Sequence, residues 1–251
     1  ALQRKGLHGM ASTPLHPNRR WQYFFEEEPK KGWLDRWISH RASLRMAEMF
    51  PESPHVRQAT NWRVSDFSGW VHMLYVGSTM KGRLWEGIEG HAQVSASRRL
   101  GSSKHRVDPP SNQGWTCVHD DLKGTSDQNY SISALTINER PFVGCPDLVF
   151  VDSSGTAALI LEIKTTDAKL PYGGWPDLRA QLWAYSKSDE WANIPNVQLA
   201  AEIWDKSGTR LRRTYQWSRE DDRIQQGGEE MFAAYVEAVA RSPRSADASA
   251  T

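Results

Sequence analysis

The stretch that most constrains folding is PFVGCPDLVFVDSSGTAALILEIKTT, residues 141 to 166. Two apolar runs, DLVFV and TAALILEIK, flank the turn-forming DSSG, a pattern that predicts a buried β-hairpin. A hairpin of this kind belongs in a sheet with helices packed on it. Yet Asp147, Glu162 and Lys164 stand at its ends, and charges beside a core are costly unless something pairs them.

Taking Asp152 to Gly155 as a four-residue loop sets Val151 opposite Thr156, Val149 opposite Ala158 and Asp147 opposite Ile160. With side chains alternating, Asp147, Ile160, Glu162 and Lys164 share one face, and Leu148, Phe150, Leu161 and Ile163 share the other. Glu162 is then the diagonal neighbour of Asp147, and a one-residue slip would separate them. Two carboxylates so placed repel unless a cation lies between them. Hard oxygen donors suit Mg²⁺ or Mn²⁺. A lysine beside them can orient water or offset charge building on phosphorus. The same residues also fit a structural carboxylate–lysine bridge at a sheet rim.

Around the hairpin the chain divides into three parts. Residues 1 to 60 read as a basic, Pro- and Trp-containing extension with one helix, in WLDRWISHRASLRMAEMF. Residues 61 to 240 read as the main domain, and 241 to 251 as a disordered tail. Within the domain, 65–76 (capped by Ser65) and 81–97 predict helices, a short strand falls at 115–119, and SISALTINE predicts another strand. PDLRAQLWAYSKSDEW predicts a helix, with Pro176 in its first turn and Asp177 favourably placed against the dipole. A second hairpin follows around Lys206-Ser207-Gly208, then a helix in GEEMFAAYVEAVA. This order gives an α/β, or α+β, mixed sheet flanked by helices.

Composition narrows the setting. A charged fraction of 24% and a hydrophobic fraction of 39% fit a soluble globular chain. No apolar run reaches a membrane span, and the first residues lack a signal-peptide core, so the expectation is a cytoplasmic protein without a membrane partner. Cys117 and Cys145 are too few for a zinc ribbon or an iron–sulfur cluster, and two free thiols are expected. The net charge of +1 conceals a division: residues 1–106 carry +8 and residues 107–251 carry −7. A basic half beside an acidic half fits a polyanion groove next to a carboxylate site. Chance asymmetry on solvated faces fits it too. Several of the twelve tryptophans could stack on bases, though core anchors are the commoner use.

GCPDLVF…LILEIKTT resembles the Pro-Asp…(Asp/Glu)-x-Lys signature of the PD-(D/E)XK nuclease superfamily. Seventeen residues past Lys164, Gln181-Leu-Trp-Ala-Tyr185 resembles the Gln-x-x-x-Tyr motif of its RecB-like and lambda-exonuclease-like branch. At i and i+4 on a helix, Gln181 and Tyr185 share a face. The resemblance covers about residues 65 to 235 and implies a restriction-endonuclease-like core. It further implies one or two Mg²⁺ or Mn²⁺ ions on Asp147, Glu162 and the Ile163 carbonyl, and Gln181 and Tyr185 against DNA near the scissile phosphate. The family also places an acidic residue or histidine on a preceding helix. Gly82-Arg-Leu-Trp-Glu86 and Gly87-Ile-Glu-Gly-His91 both resemble that element; their last residues lie about 140° apart on a helix, so one ligand is expected, Glu86 before His91, with Glu89 a third choice. Lys81, Arg83, Arg98 and Arg99 are expected phosphate contacts. The implied activity is a metal-dependent deoxyribonuclease acting on single- or double-stranded DNA, exonuclease before endonuclease, with a homo-oligomer or a recombination protein as further partners. A non-catalytic nucleic-acid-binding module is the alternative from another class.

Overall fold

The computed structural model describes residues 61–76, 88–99, 107–109, 114–122, 128–168, 170 and 173–240. The expected extension and helix within 1–60, the segment 81–87 and the tail 241–251 lie outside the described residues. Strand β1 (Trp62–Arg63) runs straight into helix α1 (Val64–Val76), and α2 (Ile88–Arg99) follows. Then come β2 (Thr116–Asp120), β3 (Tyr130–Ile137), β4 (Arg140–Gly144), β5 (Leu148–Val151) and β6 (Ala157–Thr165). Helix α3 (Pro176–Ser186), a 3-10 turn (Asp189–Trp191), β7 (Asn196–Trp204), β8 (Leu211–Ser218) and α4 (Asp222–Ala240) complete the order.

The fold is mixed α+β. A five-stranded sheet runs β2-β5-β6-β7-β8, with β6 and β7 parallel and the other pairs antiparallel. A three-stranded sheet runs β1-β4-β3, with β1 parallel to β4. The parallel pair needs a crossover, which α3 supplies. The unbroken apolar run of β6 is explained by cover on both faces. Leu159, Leu161 and Ile163 pack with Leu148, Ala200, Trp204 and Val94 of α2. Ile160 packs with Val149, Leu199, Ala201 and Ile203 beneath α1, α3 and α4.

Both hairpins of the five-stranded sheet close on the same local sequence, Asp-x-Ser-Gly-Thr, at 152–156 and 205–209. In the first, Asp152 accepts from the backbone N–H of Thr156 and of Ala157, each at 2.8 Å, and Gly155 takes φ +68°. In the second, Asp205 accepts from Thr209 N–H at 3.0 Å and Arg210 N–H at 3.2 Å, with Gly208 at φ +67°. An Asp that hydrogen-bonds its own turn, followed by a residue with no Cβ in the left-handed region, fixes the reversal.

This turn chemistry corrects the expected register. Asp152 N–H donates to Ala157 O at 3.0 Å, so the loop is Ser153–Thr156 and Asp152 still belongs to the ladder. Val149 therefore pairs with Ile160 and Val151 with Ala158. The shift is two residues, which changes every partner and leaves every side chain on its expected face.

Other boundaries also moved. SISALTINE is not one strand but a strand and a turn: Asn138 and Glu139, at φ 51° and 63°, reverse the chain into β4. That double positive φ is the type I′ hairpin. Ser65 does not cap α1, which already begins at Val64. Helix α3 stops at Ser186, and Ser188 caps the separate 3-10 turn by accepting from Glu190 N–H. Helix α4 starts six residues before GEEMF, running through Gly227-Gly228. Gly228 is dictated by packing, since a Cβ there would lie 2.2 Å from the Trp183 ring.

Candidate active site

Strands β5 and β6 bring the hairpin charges together. Continuing their register by one residue sets Asp147 directly opposite Glu162, not diagonal to it. Ile163 N–H donates to Asp147 Oδ2 at 2.6 Å. Lys164 Nζ donates to Glu162 Oε1 at 2.5 Å, and Gln181 Nε2 donates to the same oxygen at 2.8 Å. Gln181 also reaches Tyr185 Oη at 2.9 Å, and that hydroxyl donates to the Cys145 carbonyl at 3.1 Å. One continuous network thus runs from Lys164 through Glu162, Gln181 and Tyr185 to the turn that carries Asp147.

Helix α3 delivers Gln181 and Tyr185 from one face, as their spacing predicts. The close approach is possible because β4 ends in Gly144: a Cβ there would stand 2.5 Å from the Tyr185 ring. Asp177, one turn earlier on the same face, is 1% exposed and lies 3.3 Å from Nδ1 of His72 on α1. Its sequence reading as a dipole partner of the helix N-terminus leaves out this contact, which ties α1 to the site helix.

Burial governs the electrostatics. Asp147 is 9% exposed, and burial pushes its carboxyl up to about 6, against the opposing pull of Lys164 and Ile163 N–H, with Asp121 and Asp120 adding to the rise. For Lys164, burial would lower the ammonium, but Glu162 and Asp147 outweigh it and hold the group above its ordinary value. Burial, then the Glu162 charge, raises Tyr185 well above the phenol range. The network therefore keeps a neutral phenol, a charged ammonium and a carboxyl that ionises only reluctantly.

Asp121 is a neighbour that sequence reading missed. Its N–H donates to the Asp147 carbonyl at 2.9 Å, and its carboxylate accepts from Cys145 Sγ at 3.3 Å. Burial and Asp121 push the Cys145 thiol up to about 12. Cys117 and Cys145 are both free thiols, as expected. Nothing local marks Asp121, because the contact depends on β2 pairing with β5 across the sheet.

Of the expected phosphate contacts, Arg98 is engaged elsewhere. It is buried in an ion pair with Glu202, and Val107 O and Asp108 Oδ1 also accept from it. Lys81, Arg83 and Glu86 lie outside the described residues, as do the side chains of Glu89, His91 and Arg99. Among the described residues, no group of three His, Cys, Asp or Glu side chains comes together to hold a metal ion. The pair Asp147–Glu162 supplies hard oxygens from directly opposed strand positions, a fit for a small divalent cation that needs a further ligand. Among the described residues no helix is long and apolar enough to cross a membrane.

No protein-family model matches the chain, and no curated protein matches it. Among solved structures it is similar to SSO0001, at 12% identity and a TM-score of 0.33, covering 76% of this chain and 83% of that one. It is also similar to a phage-related exonuclease from Haemophilus somnus 129PT, at 11% identity and a TM-score of 0.32, covering 94% and 99%. Likeness at this level leaves the site to be read from its own residues.

Proposed function

We propose that this chain is a Mg²⁺- or Mn²⁺-dependent deoxyribonuclease that hydrolyses phosphodiester bonds, acting from DNA ends in preference to internal positions. The observation that carries the reading is the convergence of Asp147, Glu162, Lys164 and Gln181, from two strands and the crossover helix, into one buried network. A purely structural carboxylate–lysine bridge explains Lys164 and Glu162. It does not explain a second buried carboxyl facing Glu162, or why Gln181 and Tyr185 complete the set in the family's order.

Asp147, Glu162 and the Ile163 carbonyl, with Glu86 or His91 from the segment before the sheet, would hold the cation. When bound, it would lower the pKa of a water and offset charge on the phosphate. Lys164, held charged by the two carboxylates, would orient the attacking water and balance charge growing on the phosphorus oxygens. Gln181 fixes the Glu162 carboxylate through one N–H and reaches Tyr185 Oη through the other, so its amide oxygen is the atom that can meet the substrate strand. Tyr185, tied to the Cys145 carbonyl, holds the turn that presents Asp147. The exonuclease preference comes from the Gln-x-x-x-Tyr resemblance.

The test is cleavage of end-labelled linear DNA and of a closed circle, single and double stranded, with Mg²⁺ or Mn²⁺. Linear DNA is expected to be degraded and the closed circle spared. Lys164→Ala is expected to abolish cleavage while the far-ultraviolet circular dichroism spectrum stays that of the wild type. Cutting of the circle would replace the exonuclease by an endonuclease. DNA binding without cleavage under either metal would leave a binding module.

A further inference from the structure

The basic half of the sequence was the expected seat of phosphate contacts, but a second cluster of positive charge stands within the acidic half. Residues 107–251 carry −7 overall, yet four of their fourteen Lys/Arg, namely Lys206, Arg210, Arg212 and Arg213, fall in nine residues of the β7–β8 hairpin. Asp205 is the one carboxylate in that stretch.

Register places this charge beside the site. Lys164 pairs with Ile203, and Ile203 pairs with Arg213, so the three form one row across the sheet. Alternation puts Arg213 on the same face as Lys164, two strands away, or about 10 Å. Arg213 is exposed and stands 5.8 Å over the Tyr215 ring, which belongs to the same face. Beyond the row, Thr165 pairs with Trp204, and the turn after Trp204 carries exposed Lys206 and Arg210.

The hairpin is also held in place. Arg212 donates to the carbonyls of Thr166 at 2.5 Å and Ala168 at 2.9 Å, in the segment that follows Lys164. Ser97 Oγ of α2 donates to Gly208 O at 2.8 Å, and Lys206 N–H donates to Asp167 at 3.4 Å. Arg210 lies 3.8 Å from Asp205, a long contact from an exposed arginine and so of small worth, and Asp205 already accepts from its own turn. Fixed positive charge at a rim is the electrostatic footprint of a polyanion surface.

We infer that Lys206, Arg210 and Arg213 form a track for the phosphate backbone of a nucleic-acid strand, running along the β7–β8 rim beside the Asp147–Glu162–Lys164 site. This deepens the nuclease reading and rests on it. The span from Lys164 to Arg213 is about three base steps of duplex, so the track engages phosphates close to the one being cut. It reads no sequence, because phosphate contacts position without specifying.

The test is binding of a fluorescein-labelled 20-mer to the full chain in EDTA, by anisotropy, over a range of NaCl. The variant is Lys206→Gln/Arg210→Gln/Arg213→Gln, with Arg212 kept because it closes the 166–168 segment. Loss of three phosphate contacts is expected to make the slope of log affinity on log salt shallower by about 2 to 3, and to weaken binding about a hundredfold or more at 0.1 M salt. Arg140→Gln, at the exposed β3–β4 turn of the other sheet, is expected to leave the slope unchanged. Hydrolysis of bis(4-nitrophenyl) phosphate with Mn²⁺ is expected to be equal in wild type and triple variant, since that substrate has no backbone to track. An unchanged salt slope, or no DNA binding by the wild type, overturns the track. Rim-dependent binding by a wild type that cuts neither substrate would keep the track and remove the nuclease.

Discussion

Asp147 is the residue whose ionisation most directly reports the site. Its carboxyl is pushed up to about 6 by burial, from an ordinary 3.8. The folded protein therefore binds that proton more tightly than the unfolded chain does. The resulting stability is fully present below about pH 4 and lost as pH rises through about 6, by about 2–3 kcal/mol. Urea unfolding in EDTA between pH 4.5 and 7.5 should show the wild type losing stability relative to Asp147→Asn as pH rises; parallel curves would remove the assignment. Added Mn²⁺ should raise the melting temperature of the wild type near pH 7, and less so for Asp147→Asn, because a cation bound only to the folded state stabilises it by mass action. Asp147, Glu162, Lys164, Gln181 and Tyr185 were legible because each lies within a short motif whose period places it on one face. Asp121 was not, because only strand pairing brings it to Asp147. Arg98 was misread because composition gives a charge without its partner, and the partner, Glu202, lies 104 residues away.

At the scale of elements, glycines decide how close the helices come. Gly228 sits inside α4, where alanine is the better helix former by about 1 kcal/mol. A Cβ there would meet Trp183 of α3 at 2.2 Å, and overpacking of this kind costs typically about 1–3 kcal/mol. Gly228→Ala should therefore destabilise the protein despite its propensity gain, with a lower urea midpoint; a higher midpoint would mean that Trp183 yields. Gly144→Ala should act through the site instead, since its Cβ would push on the Tyr185 ring and so move Gln181 off Glu162. Its expected signature is a fall in cleavage larger than its effect on stability. The β5–β6 and β7–β8 hairpins were readable from apolar runs and turn residues, whereas the parallel β6–β7 pairing between them was not. The β3–β4 hairpin was not, because its Asn-Glu turn lacks the glycine that usually marks such a reversal. The β5–β6 register erred by two because the turn is set by Asp152 bonding forward to Thr156 and Ala157, a contact that counting loop residues does not show.

Across the whole molecule, the sheet carries two buried ionic centres on opposite faces. Lys164 and Glu162 lie on the α3 side, while Glu202 of β7, paired in register with Ile163, lies on the α2 side. Glu202 is wholly buried and accepts from Arg98 of α2, from Val107 N–H at 2.7 Å and from Trp204 Nε1 at 2.9 Å. It therefore clamps α2 and the 107–109 segment to the back of the strand that adjoins the site. Removing one partner of such a pair leaves an uncompensated buried charge, at about 3–5 kcal/mol. Arg98→Met should thus lower stability by about that amount. Arg98→Met/Glu202→Gln should recover part of it, because the double variant removes both charges. Helix α2 begins two residues after Glu86 and contains Glu89 and His91, so the clamp also tests where the further ligand of the proposed metal site originates. If that ligand comes from this segment, the double variant should bind Mn²⁺ more weakly in calorimetric titration while Asp147 and Glu162 are untouched. Unchanged Mn²⁺ affinity in a variant with a loosened α2 would place the remaining ligand elsewhere.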